Sequence, residues 1–173
     1  MLRALLPLLL CSALASCGAT DEQASKPMAE FQLTSSAFRD GAAIPGQFTC
    51  EGTDQQPPLE WSAPPSETKS LALVVDDPDA PSGTFRHWGV FNIPADARSL
   101  GGPAAQAVND FGKPGYGGPC PPRGHGPHHY RFKLLALNVD RLNLSNPKIA
   151  QLEAEAEKYV IGRAQLVGTY ERR

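Results

Sequence analysis

Residues suited to chemistry fall in three blocks. The first is Asp76-Asp77-Pro78-Asp79-Ala80-Pro81, set directly after an apolar run. Proline ends such a run and stiffens the turn, so the carboxylates of Asp77 and Asp79 are expected at a strand end with little freedom. An ordinary surface turn uses the same residue types, and the block alone does not separate the two readings. The second block is His87-Trp88. On a strand, His87, Gly89, Phe91 and Ile93 share one face by the period of two, which reads as a core histidine unless a carboxylate lies near. The connection from Asp77 is short enough to bring one. The third is Tyr116-Gly-Gly-Pro-Cys-Pro-Pro-Arg-Gly-His-Gly-Pro-His128-His129-Tyr130. Its glycines let backbone N–H groups turn toward an anion, and His128 and Tyr130 point the same way as the chain enters a strand.

Two further chemistries draw on these residues. Ser82, His87 and Asp77 could form a hydrolase site, although Ser82 lacks the Gly-x-Ser-x-Gly elbow that exposes a nucleophile. Cys120, His125, His128 and His129 could hold zinc or copper, although no regular Cys-x-x-Cys pair accompanies them.

The elements that must position these side chains are mostly strands. Phe31–Leu33, Ile44–Thr49 and Leu59–Ser62 are weak strand candidates. Ser70–Asp76 is apolar on both faces, as in a central strand, and Phe85–Ile93 and Tyr130–Val139 are rich in aromatic and branched residues. Between Gly101 and His128, 14 of 28 residues are Gly or Pro, which excludes helix or central strand and marks an ordered loop of functional type. Ser145-Asn146-Pro147 predicts a helix start, with Ile149, Leu152, Ala156 and Tyr159 or Val160 at helical spacing. Glu153, Glu155 and Glu157 are then expected on its solvated side. Leu166–Tyr170 reads as a closing strand. This pattern predicts a mostly β protein, an antiparallel β-sandwich with one or two short helices near the C-terminus.

The first 16 residues read as an export leader. Arg3 gives a positive start, and an apolar stretch of about ten residues follows, too short to span a membrane. Leu14-Ala15-Ser16-Cys17 resembles the site at which bacterial lipoproteins are cleaved and acylated on cysteine, and ordinary cleavage after Ala15 is the other reading. Acylation of Cys17 would anchor the chain in the bacterial envelope, with the outer membrane facing the periplasm expected because Gly18, not aspartate, follows. Residues 17–28 lack apolar periodicity and read as a tether to one domain over 29–173. A formal charge of −2 offers no electrostatic case for nucleic acid. Cys50 and Cys120 remain as a candidate disulfide in an oxidising compartment, with two reduced, buried thiols as the alternative.

Taken in order, Leu71-Ala-Leu-Val-Val-Asp-Asp-Pro-Asp-Ala-Pro81, His87-Trp-Gly-Val-Phe-Asn-Ile-Pro94 and Tyr116-Gly-Gly-Pro-Cys-Pro-Pro122 followed by His128-His-Tyr-Arg-Phe132 resemble the phosphatidylethanolamine-binding protein family. The match is nearest to its bacterial Raf-kinase-inhibitor-like branch. Phe48-Thr-Cys-Glu-Gly52, Pro57-Pro-Leu-Glu-Trp61 and Leu166-Val-Gly-Thr-Tyr170 also resemble that branch, so the likeness covers nearly all of residues 30–171. The resemblance implies a β-sandwich with a small open pocket for phosphate, acetate or a phosphorylated headgroup, without catalysis or cofactor. By position, Asp77, Asp79, Pro81, His87, His128 and Tyr130 would line it, with backbone from Gly117 to Pro121, including Gly118 and Cys120, as one wall. His129 stands where the family usually has arginine. The resemblance also leaves room for a homodimer, and for a role as regulator or inhibitor of a protein partner. Two carboxylates would repel an anion unless they hold and charge the histidines; imidazolium then donates to it, and binding is expected to tighten below pH ~6.5.

Overall fold

Ser70–Asp77 is buried along its whole length and organises the rest. The computed structural model describes residues 29–173; the leader, Cys17 and the 17–28 tether lie outside the described residues. In chain order the strands are β1 (Ala29–Glu30), β2 (Leu33–Thr34), β3 (Glu60–Trp61), β4 (Ser70–Asp77), β5 (Phe85–Pro94), β6 (Ala105–Gln106), β7 (His128–Leu137) and β8 (Val160–Tyr170), with helix α1 (Ile149–Ala156) before β8. Six strands form one sheet in the order β1-β8-β7-β4-β5-β6, and β2 pairs with β3 in a second. All pairings are antiparallel except β1 on β8.

The alternation of β4 divides the core. Leu71, Leu73 and Val75 pack with Phe31, Leu33, Phe38 and Trp61 beneath the small sheet. Ala72 and Val74 pack on the other face with Ile149, Leu152 and Ala156 of α1. Fully buried leucine and valine side chains contribute roughly 1.5–3 kcal/mol each, so β4 is held from both sides. Gly89 permits the close approach of α1, since a Cβ there would stand 2.8 Å from Ile149 Cγ1.

Three expectations need correction. The weak Ile44–Thr49 candidate is not a strand; it contains the 3-10 turn Gly46–Phe48. Helix α1 begins two residues after the proline signal, because Pro147 and Ile149 bond across to Val108 at 2.8 and 3.0 Å. The Gln151 carboxamide accepts the Lys148 N–H at 2.9 Å and caps the helix there. Glu153 is not on a solvated side. It accepts from Arg86 Nε at 2.6 Å and Lys133 Nζ at 2.7 Å, and Lys133 also reaches the buried Asp76 at 2.6 Å.

The period of two fails along β5. Leu71 pairs with Ile93 and Leu73 with Val90, and then Val75 with Trp88 and Asp76 with Arg86. Each shift inserts one extra residue in β5, a β-bulge that re-aims the side chains beyond it. Asn92 takes φ 58° at the first, its side chain bonded both ways to the Leu142 backbone. His87 is the extra residue at the second.

Candidate functional site

Asp77 ends β4 on the face of Leu71, Leu73 and Val75. The register of β4 on β7, carried one step past Asp76↔Arg131, sets it opposite Tyr130 and diagonal to His128 on the same face. Asp77 Oδ2 lies 2.7 Å from His128 Nδ1, and both side chains are almost closed to water, 4% and 3% exposed. The carboxylate can only accept, so His128 Nδ1 carries the proton and Nε2 is the atom left for other partners. Asp77 Oδ1 accepts the Asp79 N–H at 2.8 Å, which closes the turn over the strand end. The Nε2 atom of His128 stands 3.3 Å from Nδ1 of exposed His125.

The bulge turns His87 toward this same face instead of grouping it with Gly89 and Phe91. Its Nδ1–H donates to the Gly117 carbonyl at 2.8 Å. Burial pushes the imidazole below its ordinary range, against the opposing pull of the Gly117 carbonyl and the Asp77 charge, so the ring is neutral at neutral pH. It packs edge-on against Tyr130 and Phe111, with centroids 5.2 and 5.4 Å away. Tyr130 lies beneath, its hydroxyl buried beside the Asp77 charge. Burial, then the Asp77 charge, raise its pKa and keep it protonated.

One wall is tied to the chain's early turns. Cys50 and Cys120 form a disulfide, with S–S 2.10 Å. The Cys50 N–H donates to Pro119 O at 3.2 Å, and Asp54 accepts the Gly118 N–H at 2.7 Å. Gly118 must be glycine, since a Cβ would stand 2.5 Å from Phe48 O. The expected nest of free amides is therefore absent at its glycines: Gly117 N–H donates to His87 O at 3.1 Å, and Gly118 N–H is committed to Asp54.

These elements enclose an open cavity of about 200 Å³ lined by Asp77, Ala80, Pro81, Ser82, Phe85, His87, Phe111, Cys120, Pro121, Pro122 and His128. That volume is below the range of drug-sized ligands. Asp77, Pro81, His87, Cys120 and His128 of the expected set meet there. Gly118 and Tyr130 lie behind the surface. Asp79 turns away, its carboxylate accepting from His129 N and Nδ1 at 2.8 and 2.7 Å; those bonds hold it below the usual carboxylate range. His129 thus occupies itself at the rim instead of supplying a cation to the cavity.

The rival chemistries do not assemble. Asp77 orients His128, and His87 is bonded to Gly117, so Ser82, His87 and Asp77 form no relay. Cys120 is consumed in the disulfide and His129 in its pair with Asp79. Among the described residues no three His, Cys, Asp or Glu side chains converge as a metal site. Phe85 and Phe111 were not anticipated; Phe111, 46% exposed, is the mouth's apolar rim. Buried Asn109 fixes it by accepting the Phe111 and Lys113 N–H groups and donating to Gly115 O. A cavity of about 170 Å³ along Ile93–Ala104 has Asp96 as its single ionisable side chain and gathers no comparable chemistry.

A mostly antiparallel sheet thus carries a histidine–carboxylate pair at the ends of its central strands β4 and β7. The sequence profile described as phosphatidylethanolamine-binding protein matches residues 34–171, and the chain belongs to that family. A UPF0098 protein of Aquifex aeolicus is 42% identical over 151 residues, spanning 82% of this chain and 88% of its own. A Mycobacterium tuberculosis protein named "Putative lipoprotein LppC" is 45% identical over 161 residues, 87% of this chain and 78% of its own. The crystal structure of E. coli YbcL, described as a new member of the mammalian PEBP family, superposes with TM-score 0.79 at 37% identity. It covers 84% of this chain and 100% of its own.

Proposed function

We propose that this protein is a non-catalytic binding protein whose pocket takes a small phosphate-type anion or a phosphorylated headgroup. The observation that carries the reading is the buried Asp77–His128 pair at 2.7 Å on the wall of the cavity. The carboxylate fixes the ring's orientation and leaves Nε2 for a ligand, and an apolar rim lowers the local dielectric and strengthens a hydrogen bond made there. The reading includes no cofactor and no nucleic-acid partner. Titration calorimetry of residues 29–173 against phosphate and phosphoethanolamine tests it. Saturable binding lost in Asp77→Ala and His128→Ala, with the fold kept by circular dichroism, supports it; no binding in the folded protein overturns it.

The envelope anchor is part of the same proposal, with acylation of Cys17 and residence on the periplasmic face of the outer membrane. The lipoprotein name of the mycobacterial relative supports it. Labelled fatty acid incorporated by the whole chain and not by Cys17→Ala is the expected result. A second reading, regulation or inhibition of a protein partner, draws on the exposed Phe111 at the mouth. Binding to an envelope protein that Phe111→Ser abolishes would favour it. A homodimer is the assembly to test by light scattering.

A further inference from the structure

The proton on His87 has one defined place. Its Nδ1 lies 2.8 Å from the Gly117 carbonyl oxygen, and a carbonyl oxygen only accepts, so the hydrogen sits on Nδ1. The ring is 4% exposed and borders the cavity. Burial favours its neutral form, which leaves a lone pair on Nε2. Among the described residues no group donates to that atom. Asp77 has no hydrogen to give a ligand either: a carboxylate only accepts, and its two oxygens already take the His128 Nδ1–H and the Asp79 N–H. His128 is a donor when its Nε2 carries a hydrogen; His87, in its neutral form, is an acceptor there; the hydroxyl of Ser82 rotates to suit either and does not discriminate.

We infer that the pocket selects an oxyanion that still carries a proton, accepting from His128 and donating to His87 Nε2. Inorganic phosphate and a phosphomonoester monoanion meet that demand. Sulfate does not, and neither does a phosphodiester, whose oxygens bear no hydrogen and would face the His87 lone pair. This rests on the anion-binding reading above and narrows it: the preferred phosphate is a free or terminal one, not the bridging phosphate of an intact phospholipid.

The test is calorimetry on residues 29–173 near neutral pH with inorganic phosphate, sulfate and dimethyl phosphate. Hydrogen phosphate and sulfate then match in shape and charge and differ by one proton. An acceptor left facing an oxyanion inside a pocket is expected to weaken binding at least about tenfold, so phosphate should lead both others by that ratio. In His87→Phe the ratio should fall toward one. Equal affinity for phosphate and sulfate in the unmodified protein overturns the inference and leaves the binding reading standing. Binding of none of the three overturns both. The ligand comparison decides the matter even where the His87 variant does not fold.

Discussion

Asp76 and Asp77 are consecutive carboxylates that serve opposite faces of one strand. Asp76 is sealed on the α1 side between Arg131 Nε and Lys133 Nζ at 2.7 and 2.6 Å, whereas Asp77 holds His128 in the cavity. Their variants should therefore separate. Asp76→Ala leaves two cations without their buried partner and is expected to cost about 3 kcal/mol by denaturant unfolding, with phosphate affinity unchanged. Asp77→Asn keeps the shape and removes the charge; phosphate affinity should drop at least about tenfold in calorimetry with a smaller stability loss. Parallel losses in both variants would show that the faces are not independent.

Reduction of the Cys50–Cys120 bond, separated by 70 residues, should destabilise the fold by about 4 kcal/mol on the chain-entropy account. Guanidinium unfolding with and without reductant, beside Cys50→Ser/Cys120→Ser, gives the number. Phosphate affinity should fall as well, because Cys120 and Pro121 line the cavity.

Gly118→Ala places a methyl group 2.5 Å from both Phe48 O and the Asp54 carboxylate. Backbone must move, and a loss of roughly 1–3 kcal/mol is expected, with a weaker Gly118–Asp54 bond. An unchanged midpoint of thermal unfolding would show that the wall is softer than its ties suggest.

His87 predicts a direction with pH. Its imidazole is held below the ordinary range by burial, so the unfolded chain takes up a proton first as pH falls. Stability from this group is complete above about pH 6.5 and is lost as pH drops from there through the lower folded value. The unfolding midpoint should decline through that window, and less steeply in His87→Phe.

His125 sits where a ligand must reach His128. Its Nδ1 is 3.3 Å from His128 Nε2, in a loop whose flanking Gly124 and Gly126 have φ 73° and 83°. An anion that takes the His128 proton has to displace this contact. His125→Ala should therefore raise phosphate affinity a few-fold; a decrease would mean that His125 helps hold the anion.

Much of this site was legible because its residues end strong strands. The apolar run before Asp76-Asp77 specified β4, and the aromatic pattern after His128 specified β7, so the Asp77–His128 meeting needed only their adjacency. The side of β5 that His87 faces was not legible. A bulge depends on the register with β4, and the period of two carries no trace of it. Glu153 misled for a similar reason: an amphipathic pattern shows which face is polar, not that Arg86 and Lys133 rise from the sheet to meet it. Asp79 and the glycine amides looked available because nothing local revealed their partners, His129 and Asp54, which are 50 and 64 residues away in the chain. Phe111 did leave a signal: it is one of two aromatics, with Tyr116, in a segment half of which is Gly or Pro.

The tie between Cys50 and Cys120 gives the pocket a history. One side of the cavity is completed only when two thiols 70 residues apart have been oxidised, an event the fold permits but cannot perform. A reduced chain and an oxidised one share a sequence, yet only the second has this wall fastened. Fastening of this wall thus waits on surroundings that remove electrons, and its state is a record of the oxidant the chain has met.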